Sequence, residues 1–315
     1  MQLPLPFLLP PRYWARRLSL ALGLLIGELP AAYAQQPFFG AALTVGNTRT
    51  SGESWLPKIG TDAQGNVYVA GHFNGSIYFG TQQLIGHTSQ TDLFVAKYDA
   101  AGHTLWVRQA GGDGAESVTG LVVDAAGNVY LAGSYNGSAP FGPYTLTATQ
   151  ALPDPDAFVA KLDAAGTWQW AVSGGGLGDD EGGRLALGSD GQLTLAGSFT
   201  GATTTFGTTQ LTNSQLTFRT QDIFVARLST DGAWLNAVSA GGSGNDHVTG
   251  VAVDATGNAY VCGTFSSTQT QFGATTLLNA SVSGTQDAFV AKLSTARTWQ
   301  WATGLEAPTM MPCKA

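Results

Sequence analysis

Charge is scarce in this chain. Of its 315 residues only 11% are Asp, Glu, Lys or Arg, with 14 basic against 21 acidic side chains. The net charge of −7 leaves no dense basic surface, so no nucleic-acid partner is expected. Cysteine is scarcer still. Two residues, Cys262 and Cys313, do not make a disulfide framework. Cys262 sits in a strand pattern where sister segments carry Ala70, Ala132 and Ala196, and reads as a buried free thiol, with a bridge to Cys313 as the alternative. Past the N-terminus no apolar run is long enough to cross a membrane. A phosphate-binding Gly-x-x-x-x-Gly-Lys-Ser/Thr loop, EF-hand spacing and a nucleophile elbow are all missing, which removes the usual marks of nucleotide, calcium-hand and serine-hydrolase chemistry. His72, His87, His103 and His247 are too scattered for a metal cluster, so each reads as a surface or loop side chain.

Glycine is abundant instead, at 42 residues, amid short runs of Val, Tyr, Leu and Phe. This is the pattern of strands between turns. At the start, Arg12, Arg16 and Arg17 precede the apolar run Leu18 to Gly27 and the small-residue site Ala32-Tyr33-Ala34. Residues 1–34 therefore read as a secretory signal, and a secreted or cell-envelope location follows. Without that segment the charge becomes 11 against 20, or about −9.

The body of the chain repeats itself. An aromatic-Gly pair recurs at Phe79, Phe141, Phe206 and Phe272, and Asp-x-Phe-Val-Ala-Lys/Arg begins at Asp92, Asp156, Asp222 and Asp287. The spacings of 64, 66 and 65 residues define four copies. Each has two hairpins, the first turning through Asp-x-x-Gly-Asn at Asn66, Asn128 and Asn258. Copy three departs from this, with Gln192, Thr194 and Asn236 where the others carry Asn, Tyr and Trp. Copy four places Arg297 where Gly102, Gly166 and Gly232 stand, so its second turn is expected to be strained or of another type. Four strands per copy is the minimum, and sheets of that size must stack. The expected fold is all-β, a β-propeller over residues 55–304, preferably a closed four-bladed ring, with five blades or an open array as alternatives. Residues 35–54, containing Phe38 to Val45, are expected to supply a closing strand, and residues 305–315 an irregular tail.

The set Asp124, Gly127, Asn128, Tyr130, Gly133, Phe141, Gly142, Asp156, Phe158, Val159, Lys161, Gly166 and Trp170 resembles the bacterial β-propeller repeat family called SBBP. The resemblance implies propeller blades in a secreted or surface protein, and no particular activity.

Candidate site residues follow from the repeat. Asp92, Asp156, Asp222 and Asp287 are expected to be structural acids where blades meet, or alternatively a carboxylate ring around a cation. Asp179, Asp180 and Glu181 are adjacent in a Gly-rich link and form the one candidate metal site, calcium being the ion that suits them. Trp106, Trp170 and Trp301 are expected in the interblade core. Trp168, Trp234 and Trp299, two residues earlier, fall on the same face if the strand is regular, and one set bordering a glycan groove is the alternative. No catalytic residue emerges. A binding or structural module for a protein or glycan is the leading reading, a polysaccharide hydrolase or lyase the second, a fragment of a larger surface protein the third.

Overall fold

A computed structural model describes residues 54–87, 90–150, 153–216, 220–279 and 286–305. The expected signal, most of the closing strand and nearly all of the tail lie outside these residues. Among the described residues no helix is long and apolar enough to cross a membrane.

Copy one contains β1 (Ser54–Thr61), β2 (Val67–Phe73), β3 (Ser76–Phe79), β4 (Gln82–Ile85), β5 (Asp92–Tyr98) and β6 (Thr104–Ala110). Copy two contains β7 (Glu116–Val123), β8 (Val129–Tyr135), β9 (Ser138–Phe141), β10 (Tyr144–Thr147), β11 (Asp156–Leu162) and β12 (Trp168–Gly176). In copy three these become β13 (Asp180–Leu187), β14 (Gln192–Phe199), β15 (Thr203–Phe206), β16 (Thr209–Thr212), β17 (Asp222–Ser229) and β18 (Trp234–Gly242). Copy four has β19 (Asp246–Val253), β20 (Ala259–Phe265), β21 (Gln269–Phe272), β22 (Thr275–Leu278), β23 (Asp287–Leu293) and β24 (Trp299–Leu305). The first, second, fifth and sixth strands of each copy form one antiparallel blade, as in β1-β2-β5-β6.

The third and fourth strands were hidden in what the sequence presents as a linker. They form a small hairpin that joins the previous blade: Gly175 and Gly176 of β12 pair with Thr205 and Thr204 of β15, and Gly241 and Gly242 of β18 pair with Gln271 and Thr270 of β21. Blades two and three are thereby extended to six strands. At the first junction the Gly111 N–H donates to Pro140 O at 3.1 Å.

The first turn of each regular copy explains its own motif. Asp124 Oδ1 accepts the N–H groups of Ala126 and Asn128, both at 2.9 Å, while its Oδ2 accepts from Asn128 Nδ2 at 2.8 Å and Tyr130 Oη at 3.1 Å. Asp62 and Asp254 repeat the set with Asn66 and Tyr68, and with Asn258 and Tyr260. One carboxylate satisfies the turn and reaches the following strand, and Gly127 supplies the positive φ of 82°. Above each Tyr ring lies a Lys, with Lys161 Nζ 5.2 Å from the Tyr130 centroid. Copy three replaces both partners: Thr194 leaves the space, and the larger Arg227 guanidinium donates to Gly257 O of the next turn.

Cores lie between blades. Ala70, Leu93 and Val95 of blade one meet Tyr135, Phe141 and Phe158 of blade two, and the same sets recur between blades two and three and between three and four. Along the inner edge β1 packs beside β7, β7 beside β13 and β13 beside β19. A ring closed at four blades requires the same packing between β19 and β1, which the described residues do not contain. In blade four Tyr260, Cys262 and Val290 are only half-buried, whereas Tyr68, Ala70 and Val95 are fully enclosed. Cys262 is thus a free, half-buried thiol rather than a core one.

One expectation about side chains changes and another is met. Trp106 and Trp170 are half-buried and Trp301 is 40% exposed, while Trp168 and Trp299 are the core residues at 7% and 8%. The reason is a β-bulge: Lys161 pairs with Trp170 but Leu162 with Trp168, so the two indoles point to opposite faces instead of sharing one. The same irregularity occurs in every copy. At Arg297 the strained alternative is the one found, with the turn type unchanged. The Arg297 φ of 65° matches the 79° of Gly166, and its N–H donates to Ser294 O at 3.0 Å just as Gly166 donates to Asp163 O at 2.9 Å.

Candidate functional site

The innermost strands β7, β13 and β19 each carry a bulge, at Val118/Gly120, Glu181/Arg184 and Val248/Gly250. Bulges bend a strand and re-aim its side chains. Here they open a polar cavity of about 300 Å³ lined by Ser117, Thr119, Ser134, Glu181, Arg184, Ser198 and His247, with Gly182, Gly183 and Gly197 as its backbone walls.

Arg184 ties the three blades together at this point. Its Nε donates to Thr249 O and its Nη1 to Thr119 O, both at 3.0 Å, so two guanidinium donors are held by bulge carbonyls of the neighbouring blades. Thr119 Oγ1 in turn donates to Gly182 O. Ser117 Oγ and Ser134 Oγ are 2.9 Å apart across the β7–β8 pair. The Lys58 ammonium, at the Arg184 position of copy one, is lowered from its ordinary pKa by burial and then by the Arg184 charge. His72 is lowered by burial and then by Lys58. The inner edge therefore favours neutral or anionic groups over a further cation.

The cavity coincides with a place where register-matched residues differ in every described copy. The pairs Trp55↔His72, Ser117↔Ser134, Glu181↔Ser198 and His247↔Thr264 occupy equivalent positions in the four blades. Phe94, Phe158, Phe224 and Phe289, by contrast, are identical and buried.

The acids chosen from sequence go to different places. Among the described residues no three His, Cys, Asp or Glu side chains converge as a metal cluster. Asp180 is buried at 1%, Glu181 points to the cavity from the opposite face of β13, and Asp179 precedes the strand with its N–H donating to Thr200 Oγ1 at 2.8 Å. Strand alternation separates the neighbours. Asp92, Asp156, Asp222 and Asp287 are buried at strand starts. Asp156 Oδ2 accepts from the backbone and hydroxyl of Thr149 at 2.8 and 2.9 Å, and Asp222 Oδ2 from those of Ser214 at 2.6 and 2.7 Å. Asp92 Oδ2 accepts from His87 N at 3.0 Å and Gln109 Nε2 at 2.6 Å.

Beside three of these acids stands a second one that the sequence did not single out as its partner: Glu116 by Asp92, Asp180 by Asp156, Asp246 by Asp222. The backbone sets them together, because Glu116, Asp180 and Asp246 donate their N–H to Thr91, Pro155 and Gln221, the residues just before the first acids. Burial followed by the neighbouring Asp92 charge pushes Glu116 up to about 9. Asp180 and Asp246 are raised to about 7, chiefly by burial, and Asp222 to about 6 for the same reason.

Residues 105–142 match the SBBP family of beta-propeller repeats. That span runs from β6 through the link to the Phe141-Gly142 turn. Over 149 residues, 46% of this chain and 15% of the relative, the chain is 34% identical to "Regulatory protein FlaEY" of Caulobacter vibrioides. It is 28% identical over 141 residues to an uncharacterised WD repeat-containing protein, L264, of Acanthamoeba polyphaga mimivirus, covering 39% of this chain and 10% of that one. This chain thus spans only a small part of either curated relative. A crystallised protein of unknown function from Dyadobacter fermentans is similar with a TM-score of 0.44 and 12% identity, over 82% of this chain and 71% of its own.

Proposed function

We propose that the chain is a binding scaffold whose ligand sits in the inner-strand cavity, and that the ligand is a small hydroxyl-rich molecule such as a saccharide unit. The observation that carries this reading is the loss of repeat identity at the cavity positions, where Ser117, Glu181 and His247 replace one another on equivalent strands. Selection for packing alone keeps repeats alike, whereas a ligand needs different groups from different blades. Serine hydroxyls and one carboxylate offer both donors and acceptors to sugar hydroxyls. A glycan array screened with the purified protein tests the idea. Binding should be lost in Glu181→Gln and Ser198→Ala, and an array that shows no binding, or binding unchanged in both variants, refutes it.

Secretion is part of the proposal, resting on residues 1–34; N-terminal sequencing of exported protein should return Gln35. Closure of the blades by the segment 35–46 is also proposed, supported by the half-buried face of blade four. Deleting that segment should lower the unfolding midpoint sharply, and an unchanged midpoint favours an open array.

A second reading has its own support. Glu181 and His247, from different blades, line one cavity, a pairing that suits acid/base chemistry on polysaccharide. Release of reducing sugar that disappears in Glu181→Gln favours it over binding alone.

A further inference from the structure

We propose that the junctions between blades two and three and between blades three and four each bind a calcium ion, held between Asp156 and Asp180 at the first and between Asp222 and Asp246 at the second. This site is separate from the inner cavity and owes nothing to the ligand proposed for it.

Four features of the junctions support a cation. The carboxyl groups are almost wholly enclosed, at 2% and 1% for Asp156 and Asp180 and at 1% and 0% for Asp222 and Asp246. Their outer oxygens have donors, but Asp156 Oδ1, Asp180 Oδ1 and Asp222 Oδ1 are buried without a hydrogen-bond partner. Two like charges enclosed side by side cannot both remain ionised without a counter-charge. Among the described residues no Lys, Arg or His forms an ion pair with any of the four acids. The pair Asp92 and Glu116 differs in this respect, because His87 Nδ1 lies 2.7 Å from Asp92 Oδ2, and it is left out of the proposal.

The surroundings are those of an oxygen cage. Thr204 Oγ1 is fully buried beside Asp180 and presents its hydroxyl oxygen to that carboxylate. At the equivalent place in the next junction, Thr270 Oγ1 lies 3.2 Å from Asp246 Oδ1, and Ser267 Oγ lies 3.1 Å from Asp246 Oδ2. Glycine keeps the space between carboxylate and backbone open: a Cβ on Gly175 would collide with Asp156 Oδ1, and one on Gly241 with Asp222 Oδ1. Two carboxylates, a hydroxyl and nearby backbone oxygens, completed by water, suit the six to eight oxygen ligands of calcium better than the tight octahedron of magnesium.

The repeat order gives the ion a role. Each pair joins the last hairpin-linked strand region of one blade to the first strand of the next, so a bound cation fastens consecutive blades.

The test uses the full mature chain, stripped with EDTA at pH 8 and titrated with calcium chloride, with magnesium chloride as comparison. Isothermal titration should detect two calcium equivalents with dissociation constants of about 0.1–1 mM, the range of extracellular modules. The melting midpoint should rise by about 3–6 °C at about 5 mM calcium. Asp180→Asn should remove one equivalent, and Asp156→Asn serves if that variant does not fold. No binding heat together with identical midpoints in calcium and EDTA overturns the proposal on the wild-type protein alone. A midpoint that rises on acidification and ignores calcium also overturns it, because the paired acids would then share a proton instead of a metal.

Discussion

Asn236 and Arg297 are separate departures in the sequence but one change in space. In the earlier copies an indole from one blade lies over the turn glycine of the next: a Cβ on Gly166 would sit 2.7 Å from the Trp106 ring, and one on Gly232 2.9 Å from Trp170. The indole Nε1 also donates to the turn carbonyl, Ala164 O or Thr230 O, at 3.1 Å in both cases. By repeat register the residue of blade three that should cover Arg297 is Asn236, and Asn leaves room for a Cβ. A double-mutant cycle tests this. Arg297→Gly relieves a left-handed conformation costing about 1–2 kcal/mol, offset by about 0.4–1 kcal/mol from the looser unfolded chain, for a net gain of about 0.5–1 kcal/mol. Asn236→Trp alone overpacks against the Arg297 Cβ and should cost about 1–3 kcal/mol. Together they should restore the indole over glycine and its hydrogen bond to Thr295 O, giving a favourable coupling of about 1–3 kcal/mol. Urea denaturation with unchanged slopes measures all four proteins. Additivity within about 0.3 kcal/mol refutes the pairing.

Phe158→Ala should cost about 3–5 kcal/mol, since the ring is fully buried between Phe141 and Tyr135, and a urea midpoint near wild type would contradict that placement. Trp168→Ala should destabilise more than Trp170→Ala because the bulge turns only the former into the core; the reverse order in thermal melts would defeat the bulge argument. Tyr130→Phe should cost about 1 kcal/mol through loss of the bond to Asp124, read by the same denaturation. In EDTA, stability should fall as pH rises from about 4 toward 9. The folded protein keeps protons on Glu116, Asp180 and Asp246 to about 9, 7 and 7, whereas the unfolded chain releases them near pH 4, so their contribution is complete at low pH and lost through that window. Urea midpoints that stay flat or rise between pH 5 and 8.5 would refute it.

What the sequence reveals depends on how far each interaction reaches. Asp124, Asn128 and Tyr130 announce their turn because all the partners lie within six residues. Identical anchors at Asp92, Asp156, Asp222 and Asp287 make the all-β repeat legible for the same reason: a period is visible in one strand of text. The Trp168 and Trp170 faces are not, because the bulge is defined by the partner residues Lys161 and Leu162. Nor are the hairpins such as β9–β10, whose four-residue strands are too short to show alternation. The cavity was visible only in part. His72 stands where the sister copies carry Ser134, Ser198 and Thr264, but the neighbouring column of Ser117, Glu181 and His247 becomes meaningful once strand pairing puts both columns at one edge. The paired acids come together through backbone bonds across a blade boundary, which no local pattern encodes.

The pairing of Gly175 and Gly176 with Thr205 and Thr204 sets an order of events during synthesis. A nascent chain that has emerged only as far as the end of β12 holds the four main strands of blade two but not the hairpin that covers their outer edge. That edge stays open until β15 leaves the ribosome, by which time β13 and β14 have already been made. Completion of blades two and three thus waits until the successor of each has been made, and cutting the gene so that β12 or β18 is separated from the hairpin that follows would leave that blade with a raw edge.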